Sequence, residues 1–244
     1  MKNRVVSIIT CTVRDEFMEN VFDNFQKQDY KEKELIIILN NDSIDADKWK
    51  KRAFLDRNII IVQLPQYTSL GDCLNYGVEH SRYKTIAKFD DDDFYGPYYM
   101  NEAMNVIKNT KAMVVGKSTF YIYFHQEKSL YLYNCNNEQR FIYPKKHYYT
   151  KDFLAGASLV INKDVFKQVT FPSLNLGEDS KFQQECLKKD ISMYSTTRQH
   201  FAYIRYPYSH YHNSDVKDYF LKKRSRLVSK GSEFENLLTQ ISPS

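Results

Sequence analysis

Apolar positions in the first half of the chain fall into two alternating textures. The runs VVSIIT (Val5 to Thr10), ELIIIL (Glu34 to Leu39), NIIIVQL (Asn58 to Leu64) and KTIAKF (Lys84 to Phe89) are short, β-branched and nearly unbroken. That is the pattern of strands covered on both faces. Between them the spacing is helical: Phe17, Val21, Phe22 and Phe25 share one face, as do Leu70, Leu74 and Val78. Met100, Ala103, Met104 and Ile107 repeat at the same spacing behind Pro97, which suits a first helical turn. Strands alternating with helices predict βαβ units and a mostly parallel, doubly wound α/β sheet. Ligands of such sheets bind beyond the C-terminal strand ends, so Thr10 to Arg14, Asn40 to Asp45 and Asp90 to Asp93 are expected along one polar edge.

The second half has another texture. Ser118 to Tyr149 is aromatic-rich with Asn-rich turns, which predicts a small antiparallel portion. A strand is expected over Ala157 to Ile161, and helices over Glu178 to Lys189, with Phe182 and Cys186 on one face, and over Asp215 to Val228.

The 244 residues, 42% hydrophobic and 27% charged, suffice for one large domain, and only 7 Gly and 6 Pro argue against long linkers. The expected organisation is a single domain over 1–228, divided into halves at 1–110 and 111–228, with a tail at 229–244 free to fray. The formal charge of +5 is a mild excess, part of it gathered in KKRSR, Lys222 to Arg226, on the last expected helix. A solvated helix face, an anionic membrane surface and nucleic acid are the three readings of that run, and nucleic acid is the least favoured of them. Cys11, Cys73, Cys135 and Cys186 form no metal spacing and read as reduced thiols. The N-terminal apolar run is too short for a secretory signal, and no window approaches the roughly 18 apolar residues of a membrane span. A cytoplasmic protein is expected.

Four consecutive carboxylates, Asp90 to Asp93, end the fourth predicted strand. Adjacent like charges repel, so a cation, a polar ligand or open water must compensate them. An oxygen-preferring Mg²⁺ or Mn²⁺ takes one or two carboxylates and leaves its other positions to water and phosphate. In an extended chain Asp90 and Asp92 point to one side, with Asp91 and Asp93 left to bond a ligand hydroxyl or the backbone. A calcium-binding EF-hand loop is excluded: Tyr95 stands where it needs glycine and Asn101 where it needs glutamate. A solvated acidic turn capping the next helix is the other reading.

Taken together, VSIITCT, QKQDYKEKELIIILNNDS, LGDCLNYG, KFDDDD and LGEDSKF, in this order from about Val5 to His212, resemble the family 2 nucleotide-sugar glycosyltransferases of the GT-A fold, bacterial polysaccharide and spore-surface enzymes in particular. The resemblance implies roles. Thr10 and Thr12 match positions that hold the nucleotide, and Arg14 matches an arginine after the first strand. Asn40 stands where the family usually has an aspartate that reads the pyrimidine base; an Asn carbonyl still accepts from N3–H of uracil or thymine. Asn75 falls near the diphosphate. Asp90, Asp91 and Asp92 take the place of the DxD motif, with Asp90 and Asp92 at the metal and Asp90 and Asp91 at the nucleotide.

Asp179 in LGED matches the catalytic base of an inverting transfer, which removes the acceptor proton opposite the leaving group. Capping of the following helix explains the same acidic pair without chemistry. His210 and His212 are candidates for the metal, with His210 ahead. The aromatic residues between Phe120 and Tyr149 fit sheet packing or stacking on an acceptor sugar. The implied partners are a nucleotide-diphosphate sugar, with UDP or dTDP as carrier, and a hydroxyl acceptor. A nucleotidyltransferase would need a glycine-rich loop where TCTVRDE has none. A degenerate sugar-nucleotide or glycan-binding module is the alternative outside catalysis.

Overall fold

Strand β1 (Val5–Thr12) has parallel neighbours on both sides: β2 (Glu32–Leu39) with β3 (Ile59–Gln63) beyond it, and β4 (Thr85–Lys88) on the other flank. The computed structural model describes residues 5–143, 153–207 and 217–239. Alternate residues of β2 serve opposite faces, as the two-residue strand period requires. Ile37 and Leu39 pack with Phe22, Phe25 and Trp49, while Ile36 and Ile38 pack with Leu74 and Val78. Those layers are supplied by α1 (Met18–Gln26) and α2 (Ala46–Ala53) on one side and α3 (Leu70–His80) on the other. All four expected strands are present, and α1 and α3 are the helices expected at Phe17–Phe25 and Leu70–Val78, whereas α2 was not expected.

Beyond β4 come β5 (Phe94–Tyr95), α4 (Tyr99–Thr110), β6 (Val114–Gly116), β7 (Phe120–Phe124), β8 (Ser129–Tyr133) and β9 (Arg140–Ile142). They are followed by β10 (Val160–Asn162), α5 (Glu178–Lys188), β11 (Met193–Ser195) and β12 (Phe201–Arg205). The large sheet runs β3-β2-β1-β4-β10-β6-β11-β9, and β10 and β9 are its antiparallel members. The strand expected over Ala157 to Ile161 starts later, because Gly156–Ser158 form a 3-10 turn first.

The aromatic portion contributes a second sheet, in the order β13 (Ser225–Lys230), β8, β7, β12, β5, in which β7 and β8 form the expected antiparallel hairpin. One correction concerns its edge. The last helix, α6 (Asp218–Lys223), is short, and Ser225–Lys230 form β13, paired with β8 from Ser225↔Tyr133 to Lys230↔Ser129. Lys222 to Arg226 therefore span a helix end and a strand start, because completing the β8 edge satisfies backbone groups that a longer helix would leave unpaired. After it, α7 (Glu235–Thr239) packs rather than frays: Leu238 is fully buried and its carbonyl accepts from His200 N–H at 2.9 Å. Phe234 stacks on Tyr123 with centroids 4.2 Å apart. Among the described residues, no helix is long and apolar enough to cross a membrane.

Candidate active site

The C-terminal edge of β1 reaches directly into the acidic run. Thr12 Oγ1 donates to Asp91 Oδ2 at 2.5 Å, and Arg14 Nε donates to the same oxygen at 3.1 Å. Arg14 Nη2 pairs with Asp91 Oδ1 and lies 3.1 Å from Asp92 Oδ2. Helix α1 holds the backbone of the turn. Asn20 Nδ2 donates to the carbonyls of Asp91 (2.7 Å) and Asp93 (3.0 Å), and Asn24 Nδ2 to that of Asp93 at 2.8 Å. Tyr95 closes it from below, its hydroxyl accepting from Asp90 N–H at 2.8 Å and donating to Ala157 O at 2.7 Å.

The four carboxylates thus have four different environments. Asp90 is the most open, its side chain 38% exposed, and Lys88 Nζ lies 2.5 Å from its Oδ1. Burial alone would lower the Lys88 pKa; Asp90, Glu178 and Asp179 more than offset it and hold the ammonium well above its ordinary value. Burial raises the Asp91 carboxyl, with Arg14 and Thr12 opposing. Burial and the adjacent Asp91 push Asp92 up to about 7, against Arg14. Asp93 faces inward: Oδ1 accepts from Ile204 N–H at 2.9 Å, Oδ2 has no partner, and burial drives its pKa well up.

The opposite wall is the start of α5. Gly177, at φ +77°, adopts the left-handed conformation that side chains disfavour, and it turns the chain abruptly into Glu178 and Asp179. Glu178 is buried, which raises its pKa against the pull of Lys88. Asp179 Oδ1 accepts from Ser180 N–H at 2.5 Å, and its Oδ2 would sit 1.5 Å from a Cβ built on Gly156. Only glycine admits that carboxylate. Gln183 fixes the two segments together, Nε2 donating to Leu154 O at 3.0 Å and Oε1 accepting from Leu154 N–H at 2.9 Å.

Between these walls lies a cavity of about 760 Å³, lined by Thr12, Arg14, Asn40, Asp90, Asp91, Asp92 and Asp179, together with Lys88, Gln66, Gly156, Glu178 and Tyr203. Asn40 Nδ2 donates to Pro65 O at 2.8 Å, which pins the amide and leaves Oδ1 as its unspent acceptor. Two expected residues are not in this group. Asn75 is spent on the backbone of Phe171, donating to its carbonyl at 2.8 Å and accepting from its N–H at 3.0 Å. Thr10 is 2% exposed within β1 and does not line the cavity. His210 and His212 lie outside the described residues. Lys88, Gly156, Tyr95 and Tyr203 were not singled out from the sequence. A lysine inside the apolar run KTIAKF was the one available signal.

Two carboxylates at a strand end suit a hard divalent cation that completes its shell with water and ligand oxygens. Among the described residues, no group of three His, Cys, Asp or Glu could hold an ion. Asp90 and Asp92 are the residues that would hold a Mn²⁺ or Mg²⁺ here.

The architecture has known counterparts. Staphylococcus aureus TarS (residues 1–349), solved in complex with UDP-GlcNAc, superposes with a TM-score of 0.67 at 14% identity, over 87% of this chain and 62% of that one. The longer TarS structure gives 0.64 at 14% identity, over 90% and 42%. The mannosyltransferase PcManGT from Pyrobaculum calidifontis, in complex with GDP-Man and Mn²⁺, gives 0.56 at 13% identity, over 82% and 56%. The chain spans about 60% of the length of a further TarS 1–349 structure, with a TM-score of 0.65 at 15% identity. No curated protein matches the sequence at a significant level. The family model described as Glycosyl transferase family 2 matches residues 7–170, well over half of the chain. With its mixed sheet shared with GT-A glycosyltransferases, the chain belongs to glycosyl transferase family 2.

Proposed function

We propose that the chain transfers a sugar from a nucleoside diphosphate to a hydroxyl acceptor, with inversion and with a divalent metal, in polysaccharide or surface-glycan synthesis. The observation that carries this reading is the single cavity shared by Asp90 to Asp92 on one wall and Asp179 on the other. Residues 1–110 bind the nucleotide, and 111–228 supply the base and the acceptor wall. The TarS complex with UDP-GlcNAc and the PcManGT complex with GDP-Man and Mn²⁺ support the donor class and the metal by likeness of fold.

Asn40 Oδ1 accepts from N3–H of uracil or thymine, favouring UDP or dTDP as carrier. Arg14, held between Asp91 and Asp92, orients the diphosphate. Bound at Asp90 and Asp92, Mn²⁺ or Mg²⁺ supplies positive charge for the departing diphosphate. Asp179 takes the acceptor proton as the acceptor oxygen attacks the anomeric carbon; the bond from that carbon to the diphosphate breaks on the opposite face.

A second reading has an observation of its own. Lys88 on Asp90 and Arg14 on Asp92 already neutralise the carboxylates that would bind metal, which favours a binding module that holds a sugar nucleotide without turnover. Asp179→Asn separates the two. Loss of transfer by about a hundredfold or more, with nucleotide affinity kept, supports catalysis; wild-type protein that binds nucleotide and turns over none of UDP-, dTDP- or GDP-sugars would sink it.

A further inference from the structure

The chain's excess charge is confined to one small face. Six of the 35 basic residues and one of the 30 acidic ones lie between Lys217 and Lys230, which leaves 29 of each over the remainder. The formal charge of +5 therefore equals that of residues 217–230, which run from the residue before α6 to the end of β13. The same segment carries exposed apolar side chains: Tyr219 is 68% exposed, Phe220 56%, Leu227 46% and Val228 40%. Tyr219 and Phe220 pack edge to face, with centroids 5.5 Å apart, so they project as a pair. The segment is anchored beneath. Leu221 is buried, Lys222 Nζ stacks over the Phe124 ring at 4.5 Å, and β13 is fastened along β8.

We propose that this α6–β13 face docks the protein on an anionic lipid bilayer. Cations interleaved with exposed aromatic and aliphatic groups match such a surface in both its charge and its apolar interior. A second copy of the chain is disfavoured as occupant, because the patch would meet its own charge. The bulge between Leu227 and Ser229 and the basic side chains also guard β13 against edge pairing. The face adjoins the cavity. Asp218 at the start of α6 accepts from Arg205 Nε at 2.9 Å, Arg205 Nη1 donates to the Tyr203 hydroxyl at 3.0 Å, and Tyr203 lines the cavity wall. Docking there holds the cavity close to the bilayer surface. It does not depend on the transfer reading, since a binding module would dock equally.

The test is flotation of the whole chain with phosphatidylcholine vesicles that contain or lack phosphatidylglycerol. Binding is expected only to the anionic vesicles, lost at high salt. The double substitution Lys223→Glu, Arg226→Glu should weaken it about tenfold or more, and Tyr219→Ser, Phe220→Ser should weaken it without changing the charge. All four positions are outside the core, so unchanged melting temperatures are expected, and the flotation readout needs no activity. No flotation with anionic vesicles overturns the proposal. So does charge-reversed protein that floats as well as wild type. Equal binding to a soluble polyanion, insensitive to the Tyr219 and Phe220 substitutions, assigns the face to an anionic polymer and overturns it as well.

Discussion

The Lys88 ammonium lies 2.5 Å from Asp90 Oδ1 at the base of the cavity, and Glu178 and Asp179 act on it from the opposite wall. One buried cation thus balances carboxylates contributed by two distant segments. Lys88→Met would leave Asp90, Glu178 and Asp179 facing an anionic donor with no internal counter-charge. The expected result is a fall in kcat/KM of about tenfold or more, and a melting curve that still shows a cooperative transition. Steady-state kinetics with excess Mn²⁺ check it, and an unchanged kcat/KM would reduce Lys88 to a packing role.

Gly156 and Asp179 set a second dependence. A methyl at position 156 has nowhere to go while Asp179 Oδ2 stands 1.5 Å from where the Cβ would be. Gly156→Ala should push the carboxylate out of line and lower kcat about a hundredfold, the penalty typical of a displacement of about 1 Å. Nucleotide binding should be preserved, because Asn40, Thr12 and Arg14 lie on the other wall. Calorimetric titration with UDP beside turnover measurements separates the two effects; equal losses in both would mean the substitution disturbs the whole cavity.

Much of this arrangement was legible in the sequence, for a physical reason. Strands buried on both faces must be continuously apolar, so β1, β2 and β4 announce themselves, the partly exposed edge strand β3 carries the same texture, and their C-terminal ends follow. Thr12, Arg14, Asn40, Asp90 to Asp92 and Asp179 meet at one cavity as their positions implied. What was hidden depends on partners far along the chain. Asn75 is consumed by the backbone of Phe171, and Gly156 matters only because Asp179 packs on it. Nothing local reveals either. The stretch after α6 was misread because its basic residues suit an exposed helix as well as a strand, and the unpaired edge of β8 decided the matter.

Arg14 is the sole arginine in contact with both Asp91 and Asp92 among the described ion pairs, through a fork whose nitrogens reach two carboxylates. Arg14→Ala would strand two buried acids, at a cost of about 3–5 kcal/mol. Arg14→Lys should recover little, because one ammonium cannot reproduce the fork. Urea unfolding of the three proteins measures this, and a lysine variant as stable as wild type would show that charge alone suffices.

Asp92 gives the site a pH dependence whose sign can be worked out. Its folded pKa of about 7 stands above the ordinary value of 3.8. Between those values the folded state keeps a proton that the unfolded chain has released, so this group stabilises the fold fully below pH ~4 and loses that contribution as pH rises through about 7. The loss is on the order of a few kcal/mol, and Asp92→Asn, which cannot ionise, should flatten the slope of stability against pH over that window. Cation binding runs the other way. It needs the ionised carboxylate and releases the proton, so the rise in melting temperature given by UDP with Mn²⁺ should grow from pH 6 to pH 8. Thermal denaturation across that range, with and without Mn²⁺, tests both signs at once. A ligand-induced shift independent of pH would mean that Asp92 does not hold the ion, and that Asp90 and the diphosphate bind it without Asp92.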